Sequence, residues 1–239
     1  MSPSTVRYKR VLLKLSGEVL QGKRQSGIDT EYVEQLCKEI KEVHDLGVQI
    51  GIVVGGGNIW RYRDFKQSGI ERIMSDNMGM MATVMNGSAM KSAFEKLGLE
   101  TRVVSALRVQ QVAEDYYPPR ALHHLQQNRI VICVGGTGNP YFTTDSAAAL
   151  RALELNCDIL LKATKVDGVY NADPEKDSKA RMFDKISYKD VLTQDLKVMD
   201  LAAVALCKDD NMPILVFNLF KKGNIKKAVL GEKLGTLVS

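Results

Sequence analysis

The run Arg129-Ile130-Val131-Ile132-Cys133-Val134 constrains the fold of this chain more than any other stretch. It is apolar and largely β-branched after its first residue, and it ends at once in Gly135-Gly136. A strand that is apolar on both faces has no solvent side, so it belongs inside a mainly parallel sheet covered by helices. Similar runs recur at residues 11–15, 49–54, 102–104, 158–162 and 214–217, each followed by a polar or glycine-containing loop. Helical periodicity fills the intervals. From Thr30, the residues Val33, Leu36, Cys37, Ile40 and Val43 share one face, and Gly47 supplies the stop. A long helix over about 75–97 carries Met78, Met81, Ala82, Met85, Ala89 and Ala93 in the same period, with its methionines expected in the core. A third helix is expected over 146–155. This alternation predicts an α/β fold with a mainly parallel sheet.

A chain of 239 residues can bury a large core, and no repeat or linker-like stretch divides it, so a single domain over 1–239 is expected. No apolar run approaches the roughly 20 residues of a membrane span, and residues 1–9 lack the apolar segment of a secretion signal. A soluble, cytoplasmic protein is expected. Cys37, Cys133, Cys157 and Cys207 are far apart within apolar or helical stretches and read as reduced core residues. The net charge of +5 is spread along the chain with no nucleic-acid motif, so no direct nucleic-acid binding is predicted, and the charge suits polyphosphate ligands. His44, His123 and His124 show no metal-ligand spacing, and no protein-held metal is predicted.

The chemistry gathers in four loops at strand ends, where ligands of open α/β sheets bind. The first is Gly135-Gly136-Thr137-Gly138-Asn139-Pro140-Tyr141-Phe142-Thr143-Thr144-Asp145. Its glycines let backbone approach a ligand, and a helix opened by Thr143, Thr144 and Asp145 offers N–H groups, hydroxyls and a favourable dipole to an anion. The second is Lys14-Leu15-Ser16-Gly17-Glu18, where a lysine ends an apolar strand. Such a lysine either meets an anion or snorkels from an edge. The third is Gly55-Gly56-Gly57-Asn58 with Arg61 one turn on, either backbone packed against a ligand or a flexible turn. The fourth runs from Lys162 to Pro174, with lysines able to neutralise a transferring phosphoryl group and Tyr170 able to pack on a base. The wider segment 164–185 is either a lid or base pocket, or a surface hairpin. Residues 22–27 have the glycine spacing of a Walker loop, but Ile28-Asp29 stand where Lys-Ser/Thr is required, and Gly136-x-Gly138 lacks the third glycine of a dinucleotide fingerprint.

Taken in order over almost the whole chain, Lys14-Leu15-Ser16-Gly17-Glu18, Gly55-Gly56-Gly57-Asn58-x-x-Arg61, Asp76-x-Met78-Gly79-Met80, Gly136 to Asp145, Lys162 to Val169 and Lys197-Val198-Met199-Asp200 resemble the bacterial uridylate kinases of the amino-acid kinase family. The resemblance implies a three-layer α/β/α sandwich assembled as a homohexamer. It implies transfer of the ATP γ-phosphoryl group to UMP with Mg²⁺, in pyrimidine nucleotide biosynthesis, with activation by GTP and inhibition by UTP. By analogy, Lys14, Leu15, Ser16, Gly17, Gly57 and Arg61 contact the ATP phosphates, and Thr164, Tyr170 and Asp173 hold the adenosine. Gly56, Asp76 and Thr137, Gly138, Asn139, Pro140, Tyr141, Phe142, Thr143 and Thr144 bind UMP, so that acceptor elements lie mainly in 1–160 and the ATP loop in 161–239. Lys14, Asp145 and Asp200 are the implied catalytic residues, and Arg102 and Arg129 match positions linked to GTP. Tyr62 departs from the pattern, which has glycine after the arginine.

The residues divide the labour in a way that agrees. Phosphoryl transfer needs alignment and charge stabilisation, and a UMP phosphate oxygen is already ionised, so Asp145 need not be a base and is expected to organise lysine and backbone donors. Asp76 is expected either to recognise the ribose hydroxyls or to cap a helix, and Asp200 either to face the site or to open a helix. Two other readings fit the fold: a sibling kinase acting on a small carboxylate or carbamate, and a nucleotide sensor with little turnover.

Overall fold

The computed structural model describes residues 6–61, 69–174, 176–177, 179–196 and 198–239. Tyr62 and Lys197 lie outside the described residues. The core of the molecule is one sheet of strands β1 (Arg10–Leu15), β2 (Gln49–Val54), β3 (Thr101–Ser105), β4 (Glu114–Asp115), β5 (Ile130–Val134), β6 (Ile159–Thr164), β7 (Lys185–Ile186), β8 (Ile214–Asn218) and β9 (Thr236–Val238). Their spatial order is β4-β3-β5-β2-β1-β6-β8-β9-β7, and the β8–β9 pair alone is antiparallel. The chain passes from β1 to β2 on one side and later from β5 to β6 on the other, so the topology reverses at β1. Crevices in open α/β sheets form at such a point, beyond the carboxyl ends of the strands.

Alternation along the strands splits the core into two layers. Val11, Leu13 and Leu15 of β1 pack with α1 (Thr30–His44), α2 (Arg72–Lys96) and α7 (Asn224–Leu230). Leu12 packs on the opposite face with α3 (Pro118–Gln126), α4 (Thr144–Glu154), α5 (Tyr188–Thr193) and α6 (Leu201–Asp209). This is the expected α/β/α sandwich. The short strands β4, β7 and β9 are too brief to leave a periodic signal, and α3, α5 and α7 also carry no clear sequence signal, whereas α6 opens at Asp200 as one of its two readings had it. The four cysteines are buried, as expected.

Two expectations about α2 are corrected. The helix begins at Arg72 after the N-cap position Glu71, so Asp76 lies inside its second turn and caps nothing. Its core face carries Met80, Ala82, Val84, Met90, Ala93 and Phe94, whereas Met81 and Met85 are about half exposed, as is Met74. Methionines occur on both faces of this helix, so periodicity alone does not select the buried one.

Candidate active site

Lys14 and Lys162 occupy the site because of strand register. On β1 and β6 the odd-numbered apolar residues face α1 and α2, while Leu12 and Leu160 face α4, so Lys14 and Lys162 point to the α4 side as well. The two are paired positions on neighbouring parallel strands. Like charges side by side in a sheet repel, and an anion between them is required. Asp145, in the first turn of α4, supplies it. Lys162 Nζ donates to Asp145 Oδ2 at 2.6 Å. Lys14 Nζ lies 2.9 Å from Oδ1, at an angle that makes an ion pair without an aligned hydrogen bond. The three side chains are largely buried. Burial opposes ionisation of Asp145, but Lys14 and then Lys162 outweigh it and hold the carboxyl below its ordinary value. Burial, reinforced by Lys14, lowers the Lys162 ammonium below an ordinary lysine despite Asp145.

The amino end of α4 is fixed from both sides. Thr143 is the N-cap, its hydroxyl accepting from the Asp145 and Ser146 N–H groups. That hydroxyl donates to Asp200, which also accepts from Ser146 Oγ at 3.0 Å and, as the N-cap of α6, from Ala203 N–H at 2.9 Å. Asp200 therefore does both things the sequence allowed: it opens a helix and it borders the site. Its contacts are to residues that orient Asp145.

Three cavities line up along the strand ends. A central one of about 280 Å³ is bounded by Lys14, Ser16, Gly17, Gly55 to Gly57, Thr143 to Asp145 and Asp200. On one side it adjoins a cavity of about 540 Å³ that includes Gly56, Gly57, Arg61, Asp76, Gly136, Asn139, Phe142, Thr143 and Thr144 in its wall. On the other side, past Lys162, lies a cavity of about 490 Å³ walled by Thr164, Tyr170, Asp173 and their neighbours. The sequence-predicted adenosine and acceptor groups thus fall into separate chambers flanking the lysine pair.

Several predicted residues occupy less direct positions. Leu15 turns its side chain into the core, so its backbone alone is available, and its carbonyl accepts from Gly55 N–H at 2.9 Å. Arg61 faces the 540 Å³ chamber and not the 490 Å³ one; it pairs with Glu18 and donates to Gly57 O at 2.6 Å. Thr137, Gly138, Pro140 and Tyr141 belong to the acceptor turn but do not line its cavity. Tyr141 is exposed, with its N–H donating to Asp76 Oδ2 at 2.9 Å, and Asp76 also binds Arg72. Within segment 164–185, Asn171 N–H donates to Arg181 O and Phe183 N–H to Val169 O, as in the hairpin considered for it, and its first half lines the 490 Å³ cavity. Arg102 and Arg129 lie at the opposite end of the strands, where Arg129 donates to Glu100 at 2.6 Å and Glu114 faces Arg102 and His124.

Glu18 and Arg72 carry no role from sequence, and Lys162 stands there only as one of the fourth loop's lysines. Glu18 joins Arg61 to Lys165 Nζ, 2.7 Å away, and Lys165 holds its carboxyl below the ordinary value. The signal for Lys162 was present in its motif, but its partner depends on register with β1.

A sequence model described as the amino acid kinase family matches residues 9–218. The chain is similar to a crystal structure of UMP kinase from Bacillus anthracis, with TM-score 0.95 and 40% identity over 97% of this chain and 96% of that one. A UMP kinase from Ureaplasma parvum gives TM-score 0.92 and 38% identity over 98% and 99% of the two chains. A uridylate kinase from Archaeoglobus fulgidus gives TM-score 0.75 and 30% identity over 96% and 99%.

Proposed function

We propose that this chain, which belongs to the amino acid kinase family, is a nucleoside monophosphate kinase that transfers the γ-phosphoryl group of ATP to UMP, giving UDP and ADP. The observation that carries the reading is the central cavity at a buried Lys14–Asp145–Lys162 bridge, set between two larger chambers. ATP enters the chamber of Thr164, Tyr170 and Asp173, and UMP the chamber of Gly56, Asp76 and Thr144. Their phosphates meet over the central cavity. There the ammonium groups, themselves largely buried beneath an open cavity, face charge that spreads over the transferred phosphoryl oxygens, and such contacts exceed their strength in water. Asp145 has both oxygens engaged by cations and a lowered pKa, which suits a positioning role and not proton abstraction. The acceptor oxygen, already ionised, needs no base.

The donor set fits Mg²⁺ arriving with ATP. Among the described residues no cluster of three or more His, Cys, Asp or Glu side chains is arranged to hold a metal. Asp145 and Asp200 border the cavity, and Asp145 Oδ1 has no hydrogen-bond partner among the described residues, so they could add a carboxylate oxygen to ligands supplied mostly by phosphate and water. When bound, the ion neutralises phosphate charge.

The reading extends to assembly and control. Met74, Met81 and Met85 make an exposed apolar stripe on α2 of the kind subunits cover, in support of a homohexamer. Arg102 and Arg129, remote from the site and paired with Glu114 and Glu100, are the positions offered for GTP activation, with UTP as the opposing inhibitor. UDP feeds pyrimidine triphosphate synthesis, which fits a cytoplasmic enzyme with buried cysteines, and among the described residues no helix is long and apolar enough to cross a membrane. The test is a coupled ADP-release assay with ATP, Mg²⁺ and each nucleoside monophosphate. UMP-selective turnover supports the proposal; nucleotide binding without turnover moves the sensor reading to first place.

A further inference from the structure

Arg151 is only 4% exposed, an unusual place for a guanidinium, and the lysine–aspartate bridge does not use it. Its Nη1 donates to Glu154 Oε2 at 2.6 Å, and its guanidinium carbon sits 3.8 Å from the centroid of the Tyr116 ring. Tyr116 Oη donates to the same Glu154 oxygen at 2.7 Å, and Tyr116 N–H is fixed on Ser105 O at 2.8 Å. The remaining arm of the fork, Nη2, donates to the carbonyl of Gly136 at 3.2 Å.

That carbonyl belongs to the acceptor turn. Gly135, Gly136 and Gly138 have φ of 75°, 57° and 81°, left-handed values that free the turn from the sheet ladder. The turn is gripped from α2, where Thr83 Oγ1 accepts from Gly135 N–H at 2.7 Å, and from α4 by Arg151. Gly136 lines the acceptor chamber and none of the adenosine chamber. We propose that Arg151, held by Glu154 and Tyr116, is a positioning residue that sets the acceptor turn and thereby the affinity for the nucleoside monophosphate. This rests on the kinase reading above. A buried Arg–Glu pair alone would gain little over apolar packing; here the planar fork binds a carboxylate, stacks on a ring and still reaches a backbone oxygen, which a lysine cannot do.

The test compares Arg151→Lys and Tyr116→Phe with the unmodified protein, measuring KM for UMP and for ATP separately, kcat and thermal unfolding. Arg151→Lys is expected to raise KM for UMP about 10-fold with KM for ATP within about 2-fold, and Tyr116→Phe to raise it about 3-fold. KM for UMP unchanged in both variants, or both KM values rising together, overturns the inference; if Arg151→Lys does not fold, Tyr116→Phe decides alone. Absence of UMP turnover in the unmodified protein defeats the kinase reading instead. The inference is then read from backbone hydrogen exchange of residues 135–143 without nucleotide, which should be faster in the variants; equal exchange overturns it.

Discussion

Lys14 and Lys162 are paired positions on neighbouring parallel strands, and both point to the face where one carboxylate, Asp145, separates them. Two ammonium groups side by side in a largely buried position are unfavourable without an anion. Asp145 meets that need, and a bound triphosphate would add further anions. The arrangement therefore costs folding energy in any variant that lacks the carboxylate, and the same excess of positive charge is available to a phosphoryl group in transit.

Asp145→Asn tests this balance. Removing one partner of a buried charge cluster leaves the others uncompensated, with a cost of about 3–5 kcal/mol in comparable cases, partly relieved here by the open cavity. The variant is expected to melt at lower temperature and to lose about 10²–10³ in kcat. A kcat within a few-fold of the unmodified protein would show that the bridge does not organise the reaction.

The bridge also predicts opposite pH trends for rate and stability. Lys162 titrates below the ordinary 10.5, because of burial and then Lys14, so between its folded pKa and 10.5 the native state holds fewer protons than the unfolded chain. Stability from this group rises with pH across that window, while kcat/KM falls as the ammonium discharges. Asp145 is depressed below 3.8, so its stabilising contribution is complete above that value and is lost as pH falls through the folded pKa. Urea denaturation and kcat/KM profiles on one buffer series check both signs, and a Lys162→Met variant should lose the alkaline effect on stability.

Much of this was legible in the chain. Continuous apolar runs such as residues 130–134 identify strands covered on both faces, and the glycine and lysine motifs fall at strand ends because that is where an α/β sheet opens. Pairings that depend on register escaped. Lys162 reads as one lysine of a charged loop until β6 is placed beside β1, and Arg151 reads as an ordinary helix residue until Tyr116 and Gly136 close on it. The α2 methionines show the opposite failure, since a helix apolar on two faces offers periodicity no unique solution.

Two glycines in the acceptor chamber should respond oppositely to alanine. At Gly56 a Cβ would lie 2.4 Å from Gly79 O and 2.9 Å from Ala82 Cβ, so Gly56→Ala must push the triglycine loop off α2. A loss of about 1–3 kcal/mol and weaker UMP binding are expected. At Gly79 a Cβ meets nothing within 4 Å, so Gly79→Ala in mid-helix should raise stability by about 0.5–1 kcal/mol. Thermal melts of the pair check the contrast.

Asn86, fully buried in α2, donates to Gly55 O at 2.7 Å and exchanges hydrogen bonds with Asn58, whose amide also reaches Gly27 O at 2.8 Å. Asn86→Leu keeps the branching at Cγ but is bulkier and strands these partners, at a cost of about 1–3 kcal/mol. Because the amides hold the triglycine loop, kcat should fall together with the denaturation midpoint; an unchanged midpoint would remove the network from the account.

The most direct test follows the phosphoryl group itself. ATP labelled on the γ-phosphate is incubated with UMP, Mg²⁺ and either the unmodified protein or Asp145→Asn, and the products are separated. Label is expected in UDP for the unmodified protein, with little for the variant and almost none in inorganic phosphate. Label appearing only in phosphate, or UDP formed equally by both proteins, would contradict this expectation.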